Sequence, residues 1–365
     1  MPSVLHRQAE ARRLRWSRRA VQPPLRLALE EELNTSPSAQ REALLRAKLN
    51  ALVAYQLGTA APAATQIPGG AALLAPDQGT GEMVTGDAWV LLDADPEHGL
   101  GPALAWALRR GAGRLNVLAE RATSQLARRA LRFSMPIDVW HVDGRALIPA
   151  VAFAPDAPPP ARPEHLALGG LITEAGADVV VEHGIVTGEV RGLEVCRVVD
   201  RPDDGDVVVE VGIGRHDREA FAMLHGHVPT VDALADVVRR VGAQRMVGAP
   251  PHPLNHLARE RFLRWRLVTE PSLAGVDHVT PVEPITPRQS VAESVPCAAI
   301  ADEGSQTPID LVVTAGVDLD AVAYAAEVQR DDRPTRLVLP ANELLAITRD
   351  LAALLTVPIE LVTVH

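Results

Sequence analysis

The densest run of chemically capable side chains is "EVGIGRHDREAF", residues 210 to 221. Arg215, His216 and Arg218 fall where a strand gives way to a helix, and guanidinium groups there offer forked donors to phosphate or carboxylate oxygens. The run reads equally as a junction. Asp217 or His216 would be the N-cap, Glu219 an acid in the first turn, Gly226 the C′ terminator, and Gly212 and Gly214 would loosen the end of the strand. Asp93 and Asp95 in "DADPEHG" have the chemistry of a hard-cation site, although Asp before Pro is also ordinary helix-start chemistry. Thr314 and Gly316 in "TAG" would offer backbone N–H groups to a phosphate at a helix N-terminus. His216, His225, His227, His252 and His256 gather in one region. His252 and His256 are four apart and "HGH" supplies a second pair, but no spacing matches a zinc protease.

These residues need elements to hold them. The segment "AWVLLDADPEHGLGPALAWALRRGAGRLNVLAERATSQLARRALRFSMPIDVWHV" (88 to 142) lies without a gap on "DLVVTAGVDLDAVAYAAEVQRDDRPTRLVLPANELLAITRDLAALLTVPIELVTV" (310 to 364). Each copy reads strand, helix, strand, helix, strand, the pattern of right-handed parallel βαβ units. Upstream, "AALLAPDQG" resembles "CAAIADEGS". Ligands of open parallel sheets sit beyond the carboxyl ends of the strands. Those loops are 93–99, 119–121, 314–320 and 340–343. Neither copy carries a dinucleotide-binding or P-loop glycine pattern.

The fold class expected is α/β, with two related parallel βαβαβ units flanking a mixed α/β middle and an N-terminal helical arm. The domains are 1–66, a basic arm and amphipathic helix; 67–150, the first unit; 151–163, a Pro-rich linker; 164–270, the middle; 271–295, a second Pro-rich linker; and 296–365, the second unit. Arg7, Arg12, Arg13, Arg15, Arg18, Arg19 and Arg26 face only Glu10 in the arm, a solvated terminus or a contact for an acidic partner. Residues 40–57 place Leu44, Leu45, Leu49, Val53 and Leu57 at helical spacing, with Ser36 or Ser38 as cap. In the middle, "PEHLALGGLITEAG" reads as helix, "DVVVEHGIVTGEV", "LEVCRVV" and "DVVVEVGIG" as three antiparallel strands, "DREAFAMLHG" and "VDALADVVRRVG" as helices and "AQRMVGA" as a short strand. "PLNHLARERFLRWRLV" reads as a helix burying Leu254, Leu257, Phe262 and Trp265 and presenting Arg259, Arg264 and Arg266.

Composition narrows the functions. Of 365 residues 47% are hydrophobic and only 3% aromatic, so Ala, Val and Leu must fill the cores. Cys196 and Cys297 are the two cysteines and have no ligand spacing, which excludes a disulfide framework and a thiolate zinc site and fits a reducing cytoplasm. No apolar run is long enough for a membrane span. Lys48 is the single lysine, so P-loop and Schiff-base lysines have no other candidate. The net charge of −10 opposes general attraction to nucleic acid.

The order helix, three strands, helix, strand in residues 164 to 270 resembles the PD-(D/E)XK, restriction-endonuclease-like core. The resemblance implies Glu174 as the helical acid, Glu194 or Asp200 as the second-strand acid and Glu210-Val211-Gly212 as the third-strand motif, with Mg²⁺ or Mn²⁺ held by Glu174, Glu194 and Glu210. Gly212 replaces the motif's lysine and Arg215 is the nearest cation, which stabilises charge but does not readily give up a proton. If the turn is centred at Asp203 and Asp204, Glu210 lies opposite Arg197 as a cross-strand ion pair. Three functions follow: a non-catalytic or weakly catalytic module whose degenerate nuclease-like core binds nucleic acid or another phosphorylated partner; a metal-dependent phosphodiesterase using Glu174, Glu194, Glu210 and Arg215; and a small-ligand sensor working through the loops of the repeated units.

Overall fold

The computed structural model describes residues 37–76, 86–225, 230–304 and 307–365. The basic arm, Ser36, Gly226 and His227 lie outside these residues, and the side chain of His225 is not described, so the "HGH" pair falls there too.

The N-terminal unit begins with helix α1 (Pro37–Leu57), followed by strands β1 (Thr65–Ile67), β2 (Gly70–Ala75), β3 (Asp87–Leu92), β4 (Arg114–Ala119), β5 (Ile137–Asp143) and β6 (Ala146–Pro149). They form one sheet in chain order, and only β3, β4 and β5 run parallel. Helices α2 (Leu100–Arg109) and α3 (Thr123–Ala130) supply the crossovers. On α1, Leu49, Leu52 and Val53 are buried under the sheet and Leu45 and Leu57 pack beside them, whereas Leu44 is on the exposed face at 70%.

In the chain's middle, α4 (Pro163–Leu166) and α5 (Gly169–Glu174) precede β7 (Asp178–Glu182), β8 (Ile185–Val190), β9 (Leu193–Asp200) and β10 (Val207–Val211), an antiparallel four-stranded sheet. "DVVVEHGIVTGEV" is therefore two strands, not one. His183 and Gly184 both take positive φ, 50° and 76°, the left-handed pair that a two-residue hairpin turn requires. Helices α6 (Gly214–His225) and α7 (Thr230–Gln244) follow. "AQRMVGA" adds no strand: the guanidinium of Arg245 is buried and donates to the carbonyls of Arg191, Leu254, Leu257 and Ala258, gathering these loops at the helix end.

Helix α8 (Arg259–Thr269) leads into β11 (His278–Val282), β12 (Cys297–Asp302), β13 (Ile309–Val313), β14 (Thr335–Pro340) and β15 (Glu360–Val364), with α9 (Ala321–Val328) and α10 (Ala346–Ala353) between the last three strands. The Pro-rich stretch 271–295 is thus not all linker, because β11 pairs with β12 as an edge strand. Pro281 is tolerated there, where no neighbour needs its missing donor. Helix α8 buries Leu263 and Leu267 against this sheet. Phe262 and Trp265 stack half-buried, and Leu254 and Leu257 belong to the middle core instead.

Both flanking units have an antiparallel strand beside three parallel ones, β2-β3-β4-β5 and β12-β13-β14-β15. Their α2/α3 and α9/α10 layers pack against each other in one core holding Leu104, Leu126, Val322 and Leu351. At the seam Ser134 N–H donates to Leu354 at 2.7 Å and Thr356 N–H to Arg132 at 2.9 Å. The offset of 222 that aligns the two sequences (310 less 88) carries Ser134 onto Thr356 and Arg132 onto Leu354, so each bond is the counterpart of the other and the seam is two-fold in its own register. Arg129 crosses it, fully buried, donating to Asp320 at 2.5 Å and Glu327 at 2.7 Å. Burial holds the Asp320 carboxyl up at about 6 against the pull of Arg129. Gly101 touches the same place: its N–H donates to Asp320 at 2.9 Å, and a Cβ there would stand 1.9 Å from the Leu319 carbonyl.

Truncating one side of a buried ion pair leaves the other uncompensated at about 3–5 kcal/mol. Arg129→Ala is expected to lose that much stability in urea denaturation. Arg114→Ala, which breaks a half-exposed pair with Asp138, is expected to lose less than about 1 kcal/mol.

Candidate functional site

The acids of the middle sheet enter a closed network with arginines. Glu194, 2% exposed at the start of β9, accepts from Arg197 at 2.9 and 3.0 Å and from Arg218 of α6 at 3.0 Å. Arg218 also donates to Glu210 at 3.3 Å. Glu210 stands opposite Arg197 in the β9–β10 register, as the turn at Asp203 and Asp204 implies. Glu189 on β8 lies across from Glu194 and accepts from Arg261 of α8 at 2.5 Å. Arg261 and Arg264 both donate to Glu182. Burial alone would raise the Glu182 carboxyl, but these two guanidinium groups outweigh it and hold it below its ordinary value. Of the basic face expected on α8, Arg264 is turned inward and buried, whereas Arg259, 41% exposed, reaches Glu343 and Arg266 donates to the His365 carbonyl; Arg261 is buried as well.

Glu194, Glu210 and Arg218 thus converge, and the remaining residues of that set stand apart. Glu174 is exposed at the end of α5. Asp200 pairs with Arg162 and His165. Arg215 is 83% exposed and pairs with Glu219, and His216 is 98% exposed. Helix α6 starts at Gly214, earlier than an N-cap at His216 or Asp217 would allow, and the Asp217 carboxylate instead reaches back to accept from Ile213 N–H at 2.6 Å. Gly212, at φ 141°, is needed because the helix folds onto the strand end: a Cβ would meet the Arg218 backbone N at 2.7 Å. Among the described residues, no three His, Cys, Asp or Glu side chains are grouped to hold a metal ion. His252 caps a 3-10 turn (Pro253–His256) by accepting from Leu254 N–H, so His252 and His256 do not share an α-helical face.

The loops at the carboxyl ends of the parallel strands divide in two. In the C-terminal unit the expected phosphate position is filled from within: Gly316 N–H donates to the Glu343 carboxylate at 2.6 Å, and Arg259 holds that carboxylate. Thr314 is buried beneath it. In the N-terminal unit Asp93 pairs with Arg41 of α1 and Asp95 with His98, so the two aspartates serve different partners.

Beyond Asp95, however, a crevice of about 420 Å³ is open, lined by Glu97, His98, Arg121, Gln125 and Arg128 and roofed by residues 285–293. Ile285 N–H donates to the Tyr324 hydroxyl and ties the roof to α9. His98 Nδ1 is 3.0 Å from both Asp95 oxygens and donates to that carboxylate, which fixes the ring and turns Nε2 away from Asp95. Nε2 is buried without a partner, as is Glu97 Oε2, whose other oxygen takes Arg121 at 2.7 Å. Two non-glycine residues at the crevice loops, Asp95 (φ 53°) and Ala122 (φ 58°), hold left-handed backbone, a strain that well-packed proteins keep mainly at working sites.

The sequence places the loops 93–99 and 119–121 at the carboxyl ends of parallel strands, and they contain Glu97, His98 and Arg121. Glu327 and the 285–293 roof arrive from elsewhere in the chain, and no local pattern marks them. Compared with protein-family models, with curated proteins and with solved structures, the chain matches none.

Arg218→Ala is expected to cost about 1.5–3 kcal/mol, since it removes one charge-assisted partner of the buried Glu194, which keeps Arg197, whereas Arg215→Ala should stay within about 0.5 kcal/mol; paired urea titrations measure both. Burial pushes the Cys196 and Cys297 thiols up to about 12. Neither is expected to react with a disulfide reagent at pH 8 in the native protein, and both should react once it is unfolded.

Proposed function

We propose that the chain is a small-ligand binding protein, built by duplication of one βαβαβ unit, that takes a small amine-bearing molecule in the crevice beyond the carboxyl ends of β3 and β4. One observation carries this reading: among the described residues the buried Glu97 Oε2, an acceptor, and the neighbouring His98 Nε2 have no partner, and both side chains line a crevice of about 420 Å³. Leaving a buried polar group unpaired costs about 1–3 kcal/mol, and an ammonium or guanidinium donor would offset that cost. Charge agrees, because Asp95, Glu97, Glu293 and Glu327 line the crevice against Arg121 and Arg128, an excess of two carboxylates. Its size falls within the range of about 300–1,000 Å³ usual for small-ligand sites.

In the middle sheet the saturated Glu–Arg network favours a structural role for Glu194 and Glu210 over metal-dependent chemistry. Free carboxylates are what a two-metal centre needs, and here guanidinium groups already occupy them.

Thermal unfolding with putrescine, spermidine and agmatine tests the proposal. At about 100 times its dissociation constant a ligand stabilises the native state by about 2.7 kcal/mol. A shift of that order with one of the three is expected, abolished in Glu97→Gln and retained in Glu210→Ala. No shift with any of them, together with Mg²⁺ or Mn²⁺ binding and nucleic-acid cleavage lost in Glu210→Ala, would replace it with the phosphodiesterase reading. Salt-sensitive nucleic-acid binding without cleavage would favour the phosphate-binding module instead.

A further inference from the structure

The opposite end of the same sheet holds a second feature, independent of the amine crevice. Alternation along the strands puts Trp89 and Leu91, Asn116 and Leu118, and Trp140 and Val142 on the face toward α1. Helix α1 covers the carboxyl half of that face, where Leu91, Leu118 and Val142 pack with Leu49, Leu52 and Val53. Over the amino half only its last residues, Gln56 and Leu57, form a rim, and a cavity of about 520 Å³ remains above Trp89, Asn116 and Trp140.

The C-terminal unit shows what this face looks like when it is merely structural. Positions 222 residues later hold Leu311, Val338 and Val362, which pack in the cluster of Leu263 and Leu267 beneath α8. The framework is otherwise matched: Arg114 pairs with Asp138 at 2.6 Å and Arg336 with Glu360 at 2.6 Å. Where one sheet carries three aliphatic side chains under a helix, the other carries Trp, Asn and Trp under a cavity.

Hydrogen bonding points the same way. Asn116 is 3% exposed and its Oδ1 accepts from the Trp140 indole at 3.1 Å. That bond fixes which end of the amide is which, so Nδ2 is committed as a donor, and among the described residues it has no partner. Trp89, 4% exposed, has an indole N–H likewise without a partner. Two buried side chains with unpaired donors among the described residues, Trp89 and Asn116, line the cavity beside the half-buried Trp140 ring, and they suit a planar ring that stacks on an indole and brings acceptor atoms at its edge. Asp87 and Asp138 outnumber Arg114 at the rim, which disfavours a phosphate on the same molecule. We propose that this cavity binds a nucleobase or nucleoside without a phosphate group.

Tryptophan-fluorescence titration of the full chain with adenosine, guanosine, uridine and their 5′-monophosphates tests the assignment. Saturable quenching by at least one nucleoside is expected, with its monophosphate at least fivefold weaker. Asn116→Leu places at this position an aliphatic side chain like that of the matching site in the other sheet, and should keep the fold by circular dichroism while weakening binding at least tenfold. Trp140→Phe keeps a stacking ring but frees the Asn116 amide, and should weaken binding several-fold. Glu97→Gln, which tests the amine crevice, should leave nucleoside binding unchanged. Absence of saturable quenching by all six probes, affinity undiminished in a folded Asn116→Leu protein, or tighter binding of the monophosphates would each overturn the proposal.

Discussion

Buried guanidinium groups are the constraint on which the arrangement of this protein depends. With 3% aromatic residues the cores are filled mainly by Ala, Val and Leu, side chains that pack well but orient one layer on another only weakly. Charge supplies the missing specificity. A buried arginine must find carboxylates or carbonyls in fixed directions, because the cost of an unpaired charge in a low-dielectric interior exceeds almost any packing gain. Arg129 therefore sets the α3 layer against α9 through Asp320 and Glu327, and Arg261 and Arg264 set α8 against the β7–β8 hairpin through Glu182 and Glu189. Arg245 does the same for backbone, collecting carbonyls from the α7–α8 connection and from the β8–β9 turn.

Two ends of one sheet follow from this arrangement. Docking the C-terminal unit through α9 brings Glu327 over the loops after β3 and β4, and the roof segment is anchored to α9 through Tyr324. The carboxyl-end crevice is consequently a product of both units. The amino-end cavity arises differently, from a covering helix that stops short of half the face it covers. The C-terminal unit has neither opening in the same form, since Glu343 occupies its loop and α8 covers its sheet. Similar frames thus carry openings in one unit and internal contacts in the other.

The order of elements in the middle segment, four antiparallel strands followed by two helices, says little by itself about chemistry. Glu194 and Glu210 do approach one another, joined by Arg218. The neighbouring guanidinium groups turn that approach into a structural ion-pair cluster. Arginine rather than lysine at these places matters, because its planar fork engages two carboxylates at once and does not shed its proton.

By itself the sequence determined the α/β class, the two runs of strand and helix offset by 222 residues, the antiparallel strands of the middle apart from the β7–β8 turn, and the position of the loops 93–99 and 119–121 at the carboxyl ends of parallel strands. Those features are local: periodicity, turn residues and strand order are written within a few neighbouring positions. It also placed Glu210 opposite Arg197, because register follows from a turn. Only the tertiary structure decided that Arg261 and Arg264 face inward, that Glu343 fills the loop at Gly316, that Glu327 closes one crevice and that α1 leaves another open. Each of these joins residues far apart in the chain, and whether a charge is buried or solvated is decided by what packs above it, which no single stretch of sequence contains.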